Sequence, residues 1–192
     1  MEKWITIDSK YIFKTPYGNM RADTCRVPDG RIVKDYHVYE LANWVNIVAI
    51  NDDKHLVLVN QYRQGAGDIF LELVAGTVDE GESPEAAVIR ELQEETGYVC
   101  LSKPILLGKF HFNPAMQDNI MYMYFCDYIS KTHNQNLDEF EDIEVISIPL
   151  DQIDNYVENG TISTLSSITA IELARKNLVR GRLVRGRGYD HF

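Results

Sequence analysis

The chain has 192 residues, 45% hydrophobic and 25% charged, with a formal net charge of −10. That length suits one domain, or one domain with a small addition, and the apolar content excludes a disordered chain and a fibrous repeat. Thirteen basic against twenty-eight acidic side chains over residues 1–174 give an acidic body, which repels polyanions unless cations intervene.

Residues 3–42 alternate β-rich stretches with turns: Tyr11-Ile12-Phe13, the turn Pro16-Tyr17-Gly18-Asn19, Ala22 to Val27, the turn Pro28-Asp29-Gly30, and Arg31 to Leu41. The pattern predicts a small antiparallel sheet. Strands follow at Val45 to Ile50, Leu56 to Tyr62 and Ile69 to Val74, separated by Asn51-Asp52-Asp53-Lys54 and Gly65-Ala66-Gly67-Asp68. Ser83-Pro84 then starts a helix and Gly97 stops it, so the helix covers about 84–96. Further strands are expected at Ile105–Phe112, Asn119–Tyr128 and Ile143–Ile148, with helices at Leu150–Glu158 and Thr164–Leu178.

The apolar runs are strand-sized, far below the roughly 18 residues of a membrane span, and Met1-Glu2-Lys3-Trp4 begins no secretory signal. Cys25, Cys100 and Cys126 are too widely spaced for a local metal knuckle and are expected to be reduced. A cytoplasmic location follows as the expectation, and any metal should be oxygen-bound. The basic tail at 181–192 carries a single aromatic before its last residues, Tyr189, and no repeat; it reads as a frayed terminus, with nucleic-acid binding not expected.

At 100° per residue, Glu91, Glu94 and Glu95 share an arc of about 100° beside the apolar face of Val88 and Leu92. Like charges at such spacings cost a few tenths of a kcal/mol each unless a cation offsets them. Reading outward, the order is Gly76, five residues, Glu82, seven residues, Arg90-Glu91-Leu92, one residue, Glu94-Glu95, one residue, Gly97 and Tyr98. This resembles the Nudix box, G-x5-E-x7-R-E-U-x-E-E-x-G-U, with Tyr98 where an aliphatic residue is usual. Seven fixed positions match by chance about once in a million sequences of this length.

The resemblance implies an α+β fold, a Nudix-type α/β/α sandwich with a mixed sheet, over residues 44–180, and an N-terminal antiparallel β subdomain over 1–43 that dimerises the chain and adds substrate contacts. It implies hydrolysis of a nucleoside diphosphate sugar with Mg²⁺ or Mn²⁺. By similarity Glu91, Glu95 and the Ala75 carbonyl would hold the metal, Glu94 would be a ligand or a ligand's partner, and Glu82 and Arg90 would orient loop and helix. Gln61-Tyr62-Arg63 and Glu72-Leu73-Val74-Ala75-Gly76 resemble the ADP-ribose pyrophosphatase group most closely, with Arg63 a fork for the diphosphate and Gly76 beside it. Pro114 matches a loop proline of that group, although Asn113-Pro114-Ala115 stands where Ser-Pro-Gly is common. In the acidic run Asp138 to Glu144, Glu141 would be the base that deprotonates the attacking water and Glu139 its neighbour, with Glu94 next in line.

Tyr36, Tyr39 and Trp44 are candidates to stack on the base, Tyr36 first, and His111 lies near the Pro114 loop. Competing expectations are GDP-mannose or an RNA cap as substrate, and a non-catalytic nucleotide-sugar sensor, which should have lost box carboxylates.

Overall fold

The computed structural model describes residues 1–179, so the basic tail at 181–192 lies outside the described residues. The chain divides into two compact units. The first comprises Met1–Asn43 with Phe110–Met121; the second holds Trp44–Lys109 and the chain from Tyr122 onward.

In the first unit, β1 (Ile5–Thr15), β2 (Gly18–Arg26) and β3 (Ile32–Glu40) form an antiparallel sheet in that order. β1 is rich in β-branched and aromatic residues and extends well beyond the Tyr11-Ile12-Phe13 nucleus seen in the sequence. Asp23, 5% exposed, accepts hydrogen bonds from Ser9 Oγ at 2.6 Å and Arg21 Nε at 3.1 Å, so its buried charge is matched. Segment 110–121 is stitched to β3 and to the residues that follow it: Tyr39 N donates to Met116 O at 2.7 Å, and Ile120 N to Asn43 Oδ1 at 2.8 Å.

The second unit holds β4 (Trp44–Ile50), β5 (His55–Arg63), β6 (Asp68–Leu73), β7 (Ala75–Thr77) and β12 (Ile143–Pro149), with β9 (Ile105–His111) as far as Lys109 and β10 (Ile120–Cys126) from Tyr122. The sheet runs β12-β5-β4-β10-β9, with β6 on β5 and β7 on β4; β8 (Tyr98–Cys100) and β11 (Ile129–Lys131) pair separately. Helices α1 (Pro84–Thr96), α2 (Ile153–Glu158) and α3 (Leu165–Val179) complete it.

β4 explains the sandwich. Its residues alternate sides: Val45, Ile47 and Ala49 pack in one core with Val57, Val59, Ala87, Val88 and Leu92 of β5 and α1. Asn46 points the other way, donating to Ser166 O at 3.2 Å where α3 begins, and Leu73 N donates to Ser167 Oγ at 3.0 Å. A strand covered on both faces needs apolar residues at consecutive positions, hence the run Ile47-Val48-Ala49-Ile50 in β4, while the one polar side chain, Asn46, is hydrogen-bonded. Each such Val or Ile, removed fully from water, contributes about 1.5–3 kcal/mol before chain entropy is counted. Among the described residues no helix is long and apolar enough to cross a membrane.

The expected helix Leu150–Glu158 is two elements: a 3₁₀ turn over Leu150–Gln152, where Ile153 N bonds Leu150 O, and then α2. The strand expected to reach Tyr128 stops at Cys126, because Leu101 N takes the Tyr128 carbonyl at 2.7 Å and turns the chain into the β8–β11 pair.

Candidate active site

The loop from β7 into α1 is shaped by short-range hydrogen bonds. Asp79 N donates to Glu82 Oε2 at 3.2 Å and Glu82 N to Asp79 O at 3.0 Å. Ser83 Oγ caps α1 by accepting from Ala86 N at 3.1 Å, with Pro84 in the first turn. At the far end Gly97 adopts φ 75°, and a β-carbon there would stand 2.1 Å from the His133 carbonyl oxygen. Only glycine satisfies both the backbone and the space.

Arg90 is the hub. Its Nε and Nη2 grip both oxygens of Glu82 at 3.0 Å, Nη2 also reaches Thr77 O at 3.0 Å, and Nη1 bonds Glu91 Oε1 at 2.8 Å and Glu94 Oε2 at 3.0 Å. These partners, Glu82 foremost, hold its guanidinium charged, and Arg90 in turn pushes the Glu82 carboxyl below its ordinary value. The loop and helix are thus locked by one planar fork.

Next to this fork lies a cavity of about 380 Å³ lined by Trp44, Gln61, Arg63, Ala75, Gly76, Thr77, Asp79, Arg90, Glu91, Glu94, Glu95, Asn136, Asp138 and Glu141. Six carboxylates face two guanidinium groups there. Gly76 carries no side chain for a spatial reason: a β-carbon would fall 2.0–2.4 Å from the Glu91 carboxyl group. Glu95 is 3% exposed and its Oε2 has no hydrogen-bond partner. Burial, then the neighbouring charges of Glu91 and Glu141, push its carboxyl up to about 9. Burial likewise raises Glu91, against the pull of Arg90.

Among the described residues no three acidic, histidine or cysteine side chains already converge on one point; Arg90 holds oxygens of both Glu91 and Glu94. The donor set nevertheless fits a hard divalent cation: oxygen atoms only, an excess of negative charge, and one buried carboxylate oxygen without a partner. An unpaired buried carboxylate is expensive, and a cation relieves it.

Of the residues singled out in the sequence, Trp44, Arg63, Ala75, Gly76, Arg90, Glu91, Glu94, Glu95 and Glu141 line one cavity, with Glu82 joined through Arg90. Arg63 arrives already engaged: Nε donates to Glu72 Oε1 at 2.6 Å, across the β5–β6 pair. Glu139 is not among the lining residues. Tyr36 and Pro114 belong to the first unit, where Tyr36 Oη donates to Ala115 O at 2.7 Å and its ring meets Trp4 edge-on at 6.0 Å.

Residues 41–164 match the family model of the NUDIX domain. The chain belongs to the Nudix family. It is a Nudix pyrophosphohydrolase, and its residues 4–39 match the nucleoside diphosphate sugar hydrolase N-terminal domain. The chain is 30% identical to the methanol dehydrogenase activator of Bacillus methanolicus over 87% of its own length and 90% of that protein. It is 27% identical to the ADP-ribose pyrophosphatase of Bacillus subtilis over the same shares. Its fold is that of a solved ADP compounds hydrolase, with a TM-score of 0.81, 20% identity, and 95% and 98% of the two chains covered.

Five residues of this Nudix cavity went unassigned in the sequence: Gln61, Thr77, Asp79, Asn136 and Asp138. Gln61 is buried, lines the cavity and has an unpartnered Nε2. Its signal was its place two residues before Arg63, on the same strand face. Asn136 and Asp138 left no periodic signal, since they sit in irregular chain.

Proposed function

We propose that the chain hydrolyses the diphosphate bond of ADP-ribose or a related nucleoside diphosphate sugar, giving a nucleoside monophosphate and a sugar phosphate, with Mg²⁺ or Mn²⁺. The observation that carries this reading is the cavity itself: box carboxylates, Arg63 and Glu141 meet in one place with an excess of negative charge that a polyphosphate does not tolerate unless cations accompany it.

Glu91, Glu95 and the Ala75 carbonyl would hold the metal, with Glu94 beside them. A bound divalent ion supplies charge neutralisation for the diphosphate and a lower pKa for the attacking water. Arg63, steadied by Glu72, presents the edge of a planar cation to a phosphate oxygen. Glu141 takes the proton of the attacking water; its loop position lets the base reach the water only around bound substrate. Arg90 keeps Glu91 and Glu94 in place and prevents the box helix from splaying under like-charge repulsion.

The same reading includes a homodimer. β1 is exposed along its whole length, with Trp4, Ile5, Ile7, Tyr11, Ile12 and Phe13 all 44% exposed or more, and a three-stranded sheet is too small to hide such a face by itself. A second copy is the occupant that leaves no chain with an open apolar sheet. The three free cysteines agree with a reducing, cytoplasmic setting.

The test is a panel of ADP-ribose, ADP-glucose, GDP-mannose and dinucleotides incubated with Mg²⁺ and with Mn²⁺. ADP-ribose should be cleaved fastest, and chelator should abolish the reaction. If every compound stays intact with either metal, the proposal is wrong.

A further inference from the structure

The C-terminal end of α1 presents carbonyl groups that no helical N–H satisfies. Gln93 O accepts from Gly97 N at 2.8 Å, inside the cap. Two more are taken by the segment that leads into the acidic loop: Glu94 O by Asn136 N at 2.9 Å, and Gly97 O by Thr132 N and His133 N at 3.1 Å. Glu95 O is taken by a side chain, Gln135 Nε2, at 2.7 Å.

That carboxamide has a second N–H, which donates to Ile143 O at 2.9 Å. Ile143 is the first residue of β12, opposite Gln61 in the β5–β12 ladder. Gln135 therefore ties three things with one nitrogen: the helix turn that carries Glu95, the start of the acidic loop, and its end. Within the loop, Glu141 N donates to Asp138 O and Glu141 Oε2 accepts from Asp138 N, each at 3.0 Å, which makes residues 138–141 a self-closed turn. A turn of that kind is carried by its two feet, and both feet meet at Gln135.

We infer that Gln135 is a positioning residue: its double hydrogen bond sets where Glu141 stands relative to the box helix. The inference rests on the reading of Glu141 as the base. A base acts only within hydrogen-bond reach of its water, so a shift of its loop lowers turnover while the carboxylates on α1 keep their places. Substrate and metal binding, which depend on α1 and Arg63, should be nearly unaffected.

The experiment is a double-mutant cycle on the full chain with ADP-ribose and Mg²⁺, using Gln135→Leu and Glu141→Gln. Gln135→Leu keeps the volume and removes both donors; kcat should fall about 10- to 100-fold, with KM and the Mg²⁺ half-saturation changed less than about threefold. Gln135→Lys offers three N–H donors on a longer stem and should regain part of the lost turnover. In the Glu141→Gln background, Gln135→Leu should cost little more, because its effect passes through a base already gone. Should Gln135→Leu fail to fold, Gln135→Met takes its place in the cycle. The inference is overturned if the Gln135 variant turns over within about twofold of native, or if it lowers Glu141→Gln by the same factor as native. If Glu141→Gln itself keeps native turnover, the base assignment falls, and the role of Gln135 falls with it.

Discussion

Glu95 is the residue whose surroundings are hardest to explain without a ligand. It is buried, one oxygen lacks a partner, and its carboxyl is pushed up to about 9 by burial and by Glu91 and Glu141. Glu95→Gln should reduce kcat by about 100-fold or more while leaving the fold intact, because it removes charge from the proposed metal site and preserves shape. Glu85→Gln is the control: Glu85 pairs with Lys103 at 3.0 Å and is absent from the cavity lining. Equal loss at both positions would mean general damage to α1. In chelator the pH dependence has a definite sign. Unfolded, the carboxyl ionises near 4.5; folded, it stays protonated until about 9. Between those values the folded state binds the extra proton, so the Glu95 contribution to stability is complete below the lower value and is lost as pH rises through the upper one. Thermal melts should therefore show Glu95→Gln gaining on the native chain as pH rises from 5 to 9; a gap that does not change with pH would contradict the assignment.

Among the elements, α1 joins the core to the site. Leu92 is fully buried in one core with residues of β4 and β5, and Leu92→Ala should cost about 2–5 kcal/mol, read by denaturant melts, with the residual activity of the folded fraction near native. Gly97→Ala differs in kind: it strains a φ of 75° and drives a β-carbon into the His133 carbonyl, so it should displace the loop that ends in Glu141 and lower turnover by more than its loss of stability explains. The start, end and acidic arc of this helix were legible because a cap, a proline, a glycine and a 3.6-residue period all agree. The β4 and β5 runs were legible for the same reason. What escaped the sequence were β7, β8 and β11, each three residues long and too short to leave a period, and the split of Leu150–Glu158 into a 3₁₀ turn and a helix. Gln135 escaped because its two partners, 40 and 8 residues away, become neighbours only when β12 and α1 are packed. The engagement of Arg63 by Glu72 was hidden similarly, since the pairing register across β5 and β6 decides it.

For the whole molecule, the exposed face of β1 should be covered by a second copy. Light scattering should give roughly twice the chain mass of 22.1 kDa, stable to dilution through the micromolar range. Ile7→Lys with Ile12→Lys should shift it toward monomer, and a native monomer would refute the dimer. The proposed chemistry brings water, a metal and a diphosphate together in one cavity. The most direct measurement is ADP-ribose turnover with Mg²⁺ in ¹⁸O-labelled water, with products resolved by mass. AMP and ribose 5-phosphate should form in equal amounts, one of them carrying a single ¹⁸O in its phosphate, with no reaction in chelator. Intact ADP-ribose, release of inorganic phosphate, or the same rate without metal would contradict it.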